Sequence, residues 1–495
     1  MWKPVQRIRW KTEPGGWPNE AQAKAAMLFE PMRVGPLHLD SRVWVPAMVP
    51  WRAALDGSVT SANIDWYRRF AQGAPGVIVV EATGIRDVPS GALLRISDDK
   101  FVQGLGEIAR VIHEASGGRT RAIIQLIDFL AMKRRPDPKD FFFRYLAITE
   151  RHREKLNLPG TDDLQVRTAL SKLTEDQLTQ VLEARELENL KMGFRERVTD
   201  VHLQHIRELP EQLPSLFAQA AKRAQDAGFD GVELHYAHAY TMASFLSTLN
   251  TRQDKWGGSR EDRVRLPLDV FRAVKACVEP SFAVGCRLLT EEIIAGGAGQ
   301  EDAEFYALEL SRAGMDFLSF SRGGKFEDAQ QPKVKHAAYP YTGPSGYECM
   351  PQYISDEQGP FGRNVAPTRR IRQRLRAENL QVPVVVAGGI YDFSVAEELL
   401  RNGSADLIGM ARQSLADPDW PEKVRMGRGE QVRLCRYSNY CEALDARHEM
   451  VTCELWDRED LHLPGVAKTP DGRRRLVPKS EACNKSDDNG KHLMK

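Results

Sequence analysis

The 495-residue chain contains no apolar run approaching the roughly 18 residues that a membrane-spanning helix needs. It also has no excess of charge of either sign: 69 basic side chains stand against 68 acidic ones. A near-neutral balance gives no general reason to bind nucleic acid or an anionic membrane. Cysteine is scarce and odd in number, seven in all, which argues against a disulfide framework and for a reducing compartment. The opening stretch "MWKPVQRIRWKTEPGGWPNE" has no continuous apolar core of the kind a secretory signal carries. These absences lead to the expectation of a cytoplasmic protein without nucleic-acid or membrane partners. The composition is compatible with a homo-oligomer.

What is present is a recurrence. Eight short runs rich in β-branched and other apolar residues follow one another: 42–48, 76–83, 121–126, 231–236, 282–288, 316–322, 382–389 and 405–412. Several are preceded by amphipathic helical stretches, such as "PSLFAQAAKRAQDAG" before the fourth and "DFSVAEELLRNG" before the eighth. Apolar strands alternating with helices imply a parallel sheet covered on its outer face. Eight such units predict an α/β chain folded as a (β/α)8 TIM barrel, with its chemistry at the C-terminal ends of the strands. Polar and glycine residues gather at those ends: Gln125, His235, His238, Arg287, Ser321, Gly388, Gly389 and Arg412.

The expected organisation is an N-terminal extension over 1–27, a barrel over 28–425 and a C-terminal extension over 426–495 that ends in a disordered polar tail. Residues 131–212 form a charged helical insertion between strands three and four, far longer than an ordinary barrel loop. It is expected to be a lid over the mouth, an interaction arm or a solvated excursion.

Two features carry chemistry. In "VVVAGGIYDF" and "LIGMARQSLADPDW" a strand passes through small residues into a helix. Gly388, Gly389 and Ala411 let backbone N–H groups approach a phosphate, and Arg412 adds a bidentate cation. The seventh and eighth strand loops are the usual phosphate site of such a barrel. In "HYAHAY", His235, His238 and Tyr240 stand just past an apolar strand. An H-x-x-H pair alone could hold a metal, relay protons, bind an anionic oxygen or pack in the core. A metal site would need a third ligand and an open position, and no Asp, Glu or Cys is clearly offered.

The order "PAM", "VVEAT", "IIQL", "AGFDGVELHYAHAY", "FLSTLNTRQDKWGGSREDR", "GCRL", "VVVAGGI" and "GMARQSLADPDWP" resembles the old yellow enzyme family of FMN-dependent NADH:flavin oxidoreductases. The likeness covers most of residues 28–425 outside the insertion. Its most specific piece is "NTRQDKWGGSREDRVR" at 250–265. The resemblance implies FMN, with its phosphate at Gly388, Gly389, Ala411 and Arg412. It places Gln125 on the pyrimidine edge of the flavin, Arg287 beside N1 and the C2 carbonyl, and Ala47, Met48 and Ala82 along the ring. It further implies that His235 and His238 hold the oxygen of an activated alkene while Tyr240 donates the proton. The reductant would be NADH or NADPH, and the partners a small-molecule substrate and that nicotinamide cofactor.

The chain departs from the family pattern in two places. Many relatives have Thr or Cys after the first strand, where this sequence has Val49. The segment Cys435-x2-Ser438-x2-Cys441-x11-Cys453 is similar to the four-cysteine cluster segment of trimethylamine dehydrogenase and 2,4-dienoyl-CoA reductase, with serine at one position. Clusters are normally held by four thiolates, so Cys435, Cys441 and Cys453 form a degenerate site and a [4Fe–4S] cluster is not expected. That segment leaves a second reading, an amine or ether dehydrogenase or demethylase. A third reading is a silent barrel that serves as a binding scaffold.

Overall fold

The structure is a computed structural model. It describes residues 12–13, 15–88, 90–323, 331–336, 360–445, 448–458 and 468. The expected polar tail, with Cys483, and Cys349 lie outside the described residues.

A hairpin precedes the barrel, β1 (Met32–Val34) pairing antiparallel with β2 (Leu37–Leu39). The eight expected strands follow as β3 (Val43–Val45), β4 (Val77–Gly84), β5 (Arg121–Ile127), β6 (Gly231–Tyr236), β7 (Ala283–Leu289), β8 (Leu318–Ser321), β9 (Val384–Ala387) and β10 (Leu407–Gly409). All neighbours are parallel, and β10 pairs with β3 to close the barrel. The predicted (β/α)8 architecture is therefore present. The outer helices include α1 (Ser61–Ala71), α2 (Val102–Ala115), α3 (Gln204–Asp226), α4 (Arg260–Cys277), α5 (Gln300–Arg312), α6 (Val365–Ala377), α7 (Phe393–Arg401) and the short α8 (Ala411–Ala416).

Side-chain alternation fills the barrel. Trp44, Val77, Val79, Ile123, Ala283, Phe317, Val385 and Leu407 meet Val34, Leu37 and Leu39 of the hairpin in one buried cluster. This cluster forms a floor at the N-terminal ends of the strands and leaves the opposite ends for polar groups. A register shift in β4 between Val80 and Thr83 breaks the alternation locally, as β-bulges do. Glu81 consequently turns outward to Asn63 and Tyr67 of α1.

The helix before β6 begins earlier than its proline suggests. The pattern predicts a start at Pro214, yet α3 opens at Gln204 and carries both Pro210 and Pro214 inside it. Proline removes the N–H that would bond the carbonyl four residues back. For Pro210 that carbonyl belongs to Ile206, and it accepts instead from Arg252 Nη1 at 3.2 Å. Arg252 also donates to the carbonyls of Val198 and Arg207 and pairs with Asp254 at 2.6 Å. The buried face of Ile206, Leu209, Leu213 and Phe217 supplies the rest of the stability.

Between β5 and α3 lie helices at Glu150–Lys155, Asp163–Leu170, Glu175–Val181 and Ala184–Met192. They close on their own apolar cluster, which includes Phe141, Phe142, Leu146, Val166, Leu170 and Leu190. No described helix is long and apolar enough to cross a membrane.

Gly285 of β7 faces Phe317, and an added Cβ would meet that buried ring. The ring is packed edge-on against Trp44, with centroids 5.0 Å apart. Gly285→Ala is therefore expected to cost about 1–3 kcal/mol by overpacking the floor, read from denaturant unfolding. An unchanged midpoint would show that the floor can yield.

Candidate active site

Register brings the expected residues to one end of the barrel. Gln125 is paired with Glu233, and His235 with Arg287, which in turn is paired with Ser319. Glu233 and His235 are two apart on β6, so both point to the same side of the strand. Gln125 Nε2 donates to Glu233 Oε1 at 2.5 Å, and Arg287 Nη1 donates to Ser319 Oγ at 2.7 Å. Glu233 and Ser319 are buried, while Arg287 keeps some exposure at the strand end. Burial pushes the Glu233 carboxyl up and the Arg287 guanidinium down, and each is opposed by the other's charge. Glu233 and Ser319 were not anticipated as site residues. The signal was a carboxylate inside the apolar run "GVELHY", where a charge is tolerated only beside a partner.

β6 ends in an unusual turn. His238 and Ala239 have φ of 58° and 63°, left-handed values that cost non-glycine residues strain and cluster at functional sites. The turn folds His238 back on His235, with Nδ1 of one 3.2 Å from Nε2 of the other. His238 Nε2 also lies 2.6 Å from Ser321 Oγ. Only one proton can occupy the contact between the two rings, so at least one is neutral. Burial, then the Arg287 charge, holds His235 down to about 3. Burial, His235 and Arg287 hold His238 well below its ordinary range. Nδ1 of His235 is buried with no hydrogen-bond partner in the protein.

Tyr240 completes the group, its ring edge-on to His235 at 5.4 Å and to Phe129 at 5.3 Å. Burial and the nearby Asp445 raise its phenol above the usual range. Asp445 also accepts from Trp51 Nε1 at 2.6 Å. The C-terminal segment thus reaches the mouth, and Val451 bonds the first-strand loop through Pro50 and Arg52.

Ala47, Met48 and Val49 follow β3 and are partly exposed, whereas Ala82 is buried at the shifted end of β4. Gly388 and Gly389 follow β9 with φ of 123° and 67°. Gly388 is exposed, and Nδ2 of the adjacent Asn364 donates to Ala387 O at 2.8 Å while its Oδ1 has no partner. Ala411 and Arg412 open α8. The Arg412 side chain turns toward the C-terminal segment, donating to Asn439 Oδ1 at 2.8 Å and lying over Tyr437 at 4.5 Å.

With this geometry in place the comparisons are direct. Residues 208–431 match the model of the NADH:flavin oxidoreductase / NADH oxidase family. An NADH oxidase from Thermoanaerobacter brockii is 28% identical over 414 residues, covering 82% of this chain and 52% of the relative. The later part of the barrel, residues 208–431, is thus similar to that family, and the likeness to the NADH oxidase extends over most of the chain. Among solved structures, histamine dehydrogenase from Rhizobium sp. 4-9 aligns with a TM-score of 0.61 at 22% identity, covering 86% of this chain and 52% of that one. An old yellow enzyme homologue from Zymomonas mobilis aligns at 0.50 and 23%, covering 80% and 91%. Both share the barrel fold. The chain spans about half the length of the curated relatives it matches.

The family uses FMN with a nicotinamide reductant, and the mouth fits that group. Its unpartnered buried atoms are His235 Nδ1, Glu233 Oε2 and Asn364 Oδ1, beside an exposed left-handed Gly388. Gln125, Arg287, Gly388 and Gly389 would hold FMN. The cysteine segment does not fit an iron–sulfur cluster. Cys435, Ser438, Cys441 and Cys453 border one cavity, yet no group of three or more His, Cys, Asp or Glu among the described residues is placed to share a metal ion. The donor set is three thiols and the Ser438 hydroxyl, where a cluster is normally held by four thiolates.

The neutral histidines carry a stability consequence. Between about 3 and the ordinary value of 6.5, the unfolded chain binds a proton at His235 that the folded chain does not. This stability is therefore full above about pH 6.5 and is lost as pH falls below it. His235→Gln is expected to shrink the drop in Tm between pH 7 and 5. Equal drops in variant and parent would refute a neutral His235.

Proposed function

We propose that the protein is an FMN-dependent NAD(P)H oxidoreductase of ene-reductase type, which reduces an activated alkene at the barrel mouth. The observation that carries this reading is the gathering of His235, His238 and Tyr240 at one strand end, with the rings 3.2 Å apart at their nitrogens and 5.4 Å between His235 and Tyr240 centroids. FMN, when bound, supplies the hydride for the alkene's β-carbon.

The chain's own residues do the rest. A neutral imidazole N–H donates a hydrogen bond to the acceptor's carbonyl or nitro oxygen and stabilises the negative charge that builds there. Both histidines stay neutral through the physiological range, so this donation needs no imidazolium. Tyr240, with its phenol raised by burial and Asp445, is protonated at every working pH and gives its proton to the α-carbon. Arg287, beside Ser319 and Glu233, fixes a positive charge in a poorly solvated site where an anionic ring is stabilised. Asp445 and Trp51 hold the phenol side of the mouth in place.

The similarity to histamine dehydrogenase and the cysteine segment favour a second reading, oxidation of an amine. Against it stand the paired histidines and the absence of cysteine from the first-strand loop, "PAMVPWRAALDG".

The visible spectrum of the purified protein is the first test, with oxidised-flavin bands expected and iron and acid-labile sulfide absent. Colourless protein that takes up no FMN would refute both readings. Stopped-flow then separates the half-reactions. Tyr240→Phe is expected to slow reoxidation by an enone by about 10²–10⁴-fold, the usual worth of a placed general acid. Reduction by NAD(P)H should change less than two-fold, and equal losses in both steps would remove the proton-donor role.

A further inference from the structure

The loop that leaves β5 and a segment beyond β8 are both basic and are bound to one another. The first carries Lys133, Arg134 and Arg135; the second carries Lys333, Lys335 and His336. Arg135 N–H donates to His336 O at 2.9 Å, and Lys335 N–H donates to Arg135 O at 2.7 Å. Arg135 Nη1 adds a third bond, to Pro332 O at 2.9 Å. The first loop is itself anchored from behind, with Lys133 N–H on Phe194 O at 2.8 Å and Met132 bridged to Arg195. Main-chain bonds therefore hold six basic residues in a clamp.

The clamp lies at the mouth. His448 of the C-terminal segment stacks on Trp51 at 4.1 Å, and the charges of Arg134 and His336 both act on its imidazole. Trp51 bonds Asp445, whose charge acts on Tyr240. Both basic segments follow the C-terminal ends of their strands, β5 and β8, the end of the barrel at which His235, His238 and Tyr240 gather.

Few counter-charges face this cluster. Lys133, Arg134, Lys333, Lys335 and His336 are exposed, and among the described residues none of them is in an ion pair. Glu175 acts on the clamp at Arg135 but is bound to Lys191, and Asp137 caps the helical turn at Pro138. A charge run on a surface is ordinarily solvated and spread out. Here main-chain bonds hold the two basic segments side by side, and an anion between them lowers their mutual repulsion.

We propose that Lys133, Arg134, Arg135, Lys333, Lys335 and His336 form a docking site for the phosphorylated tail of a ligand whose reactive end lies against His235, His238 and Tyr240. The placement of that reactive end rests on the function proposed above; the anion site itself does not. The tail belongs either to the nicotinamide dinucleotide or to the alkene acceptor, and both present phosphate oxygens that Arg and Lys recognise.

The test uses Lys333→Glu/Lys335→Glu and, separately, Arg134→Glu, on the FMN-loaded protein. In one arm, flavin reduction is titrated with NADH and with reduced nicotinamide riboside, which lacks phosphate. In the other, reoxidation is titrated with a neutral enone and with an enone bearing a phosphate tail. In at least one arm the phosphorylated member should saturate ten-fold or more weakly in the variants, with under two-fold change for its uncharged counterpart; that arm names the ligand. No change in either arm, or equal weakening of charged and uncharged members, overturns the proposal. Calorimetric binding of inorganic pyrophosphate is read in parallel and needs no turnover. The parent should bind it and both variants should lose at least ten-fold, even if the enone chemistry fails. A parent that binds no pyrophosphate overturns the anion site while leaving the proposed reaction standing.

Discussion

The opposed charges of Arg287 and Glu233, which act on each other across neighbouring strands, are the constraint on which the rest of the site depends. Two strands in register, β6 and β7, carry these charges above the apolar floor of Trp44 and Phe317. Removing Arg287 would take away the charge that opposes the desolvation of the buried Glu233 carboxyl. The pair also sets its surroundings. Burial first, and the Arg287 charge after it, hold both His235 and His238 below the ordinary histidine range. They are left as neutral imidazoles, each with one ring proton, so burial at the end of β6 and the charge on β7 together set what this group can do.

The turn at His238 and Ala239 depends on the same arrangement. A continued extended strand would place the residue after His235 on the opposite side and carry His238 away from it. Two left-handed residues reverse that course and return the second ring to the first. Ser321 receives it on the far side at 2.6 Å. The strain is held locally by these hydrogen bonds and by the burial of Ala239 and Tyr236. A glycine at 238 would relieve the backbone but remove the ring.

Most of the barrel was legible because its signals are periodic and repeated eight times. Each apolar run became a strand; β4 to β7 keep the expected bounds to within one residue, whereas β3, β8, β9 and β10 are shorter than their runs. Legibility failed where one residue satisfies another far away. The start of α3 is hidden by Pro210, since nothing local shows that Arg252 supplies the missing donor. That arginine belongs to the most family-specific stretch, "NTRQDKWGGSREDRVR", which proves to be a knot joining α3 to the segment after β6 rather than part of the mouth. Glu233 was hidden differently: its neighbour in sequence is apolar, and its partners, Gln125, Ser319 and Arg287, come from three other strands.

The division of labour in the molecule follows from where its irregular segments attach. Gln125, Glu233, His235 and Arg287 sit on β5, β6 and β7, whose spacing is set by sheet register, and His238 and Tyr240 follow on the turn that leaves β6. The rim is built from chain outside the repeat: the long loop after β5, the segment after β8 and the C-terminal stretch that binds Pro50, Arg52 and Trp51. A barrel tolerates variation in such loops because the floor and the strand pairing do not depend on them. In this chain three cysteines and Ser438 of the C-terminal stretch border a cavity, and the stretch is fixed there by hydrogen bonds to Gln413, Arg412 and Ala416. With these hydrogen bonds anchoring it, the stretch holds Asp445 on Trp51 Nε1 at the rim, close enough for its charge to raise the Tyr240 phenol, so chain outside the repeat tunes a group at the barrel mouth.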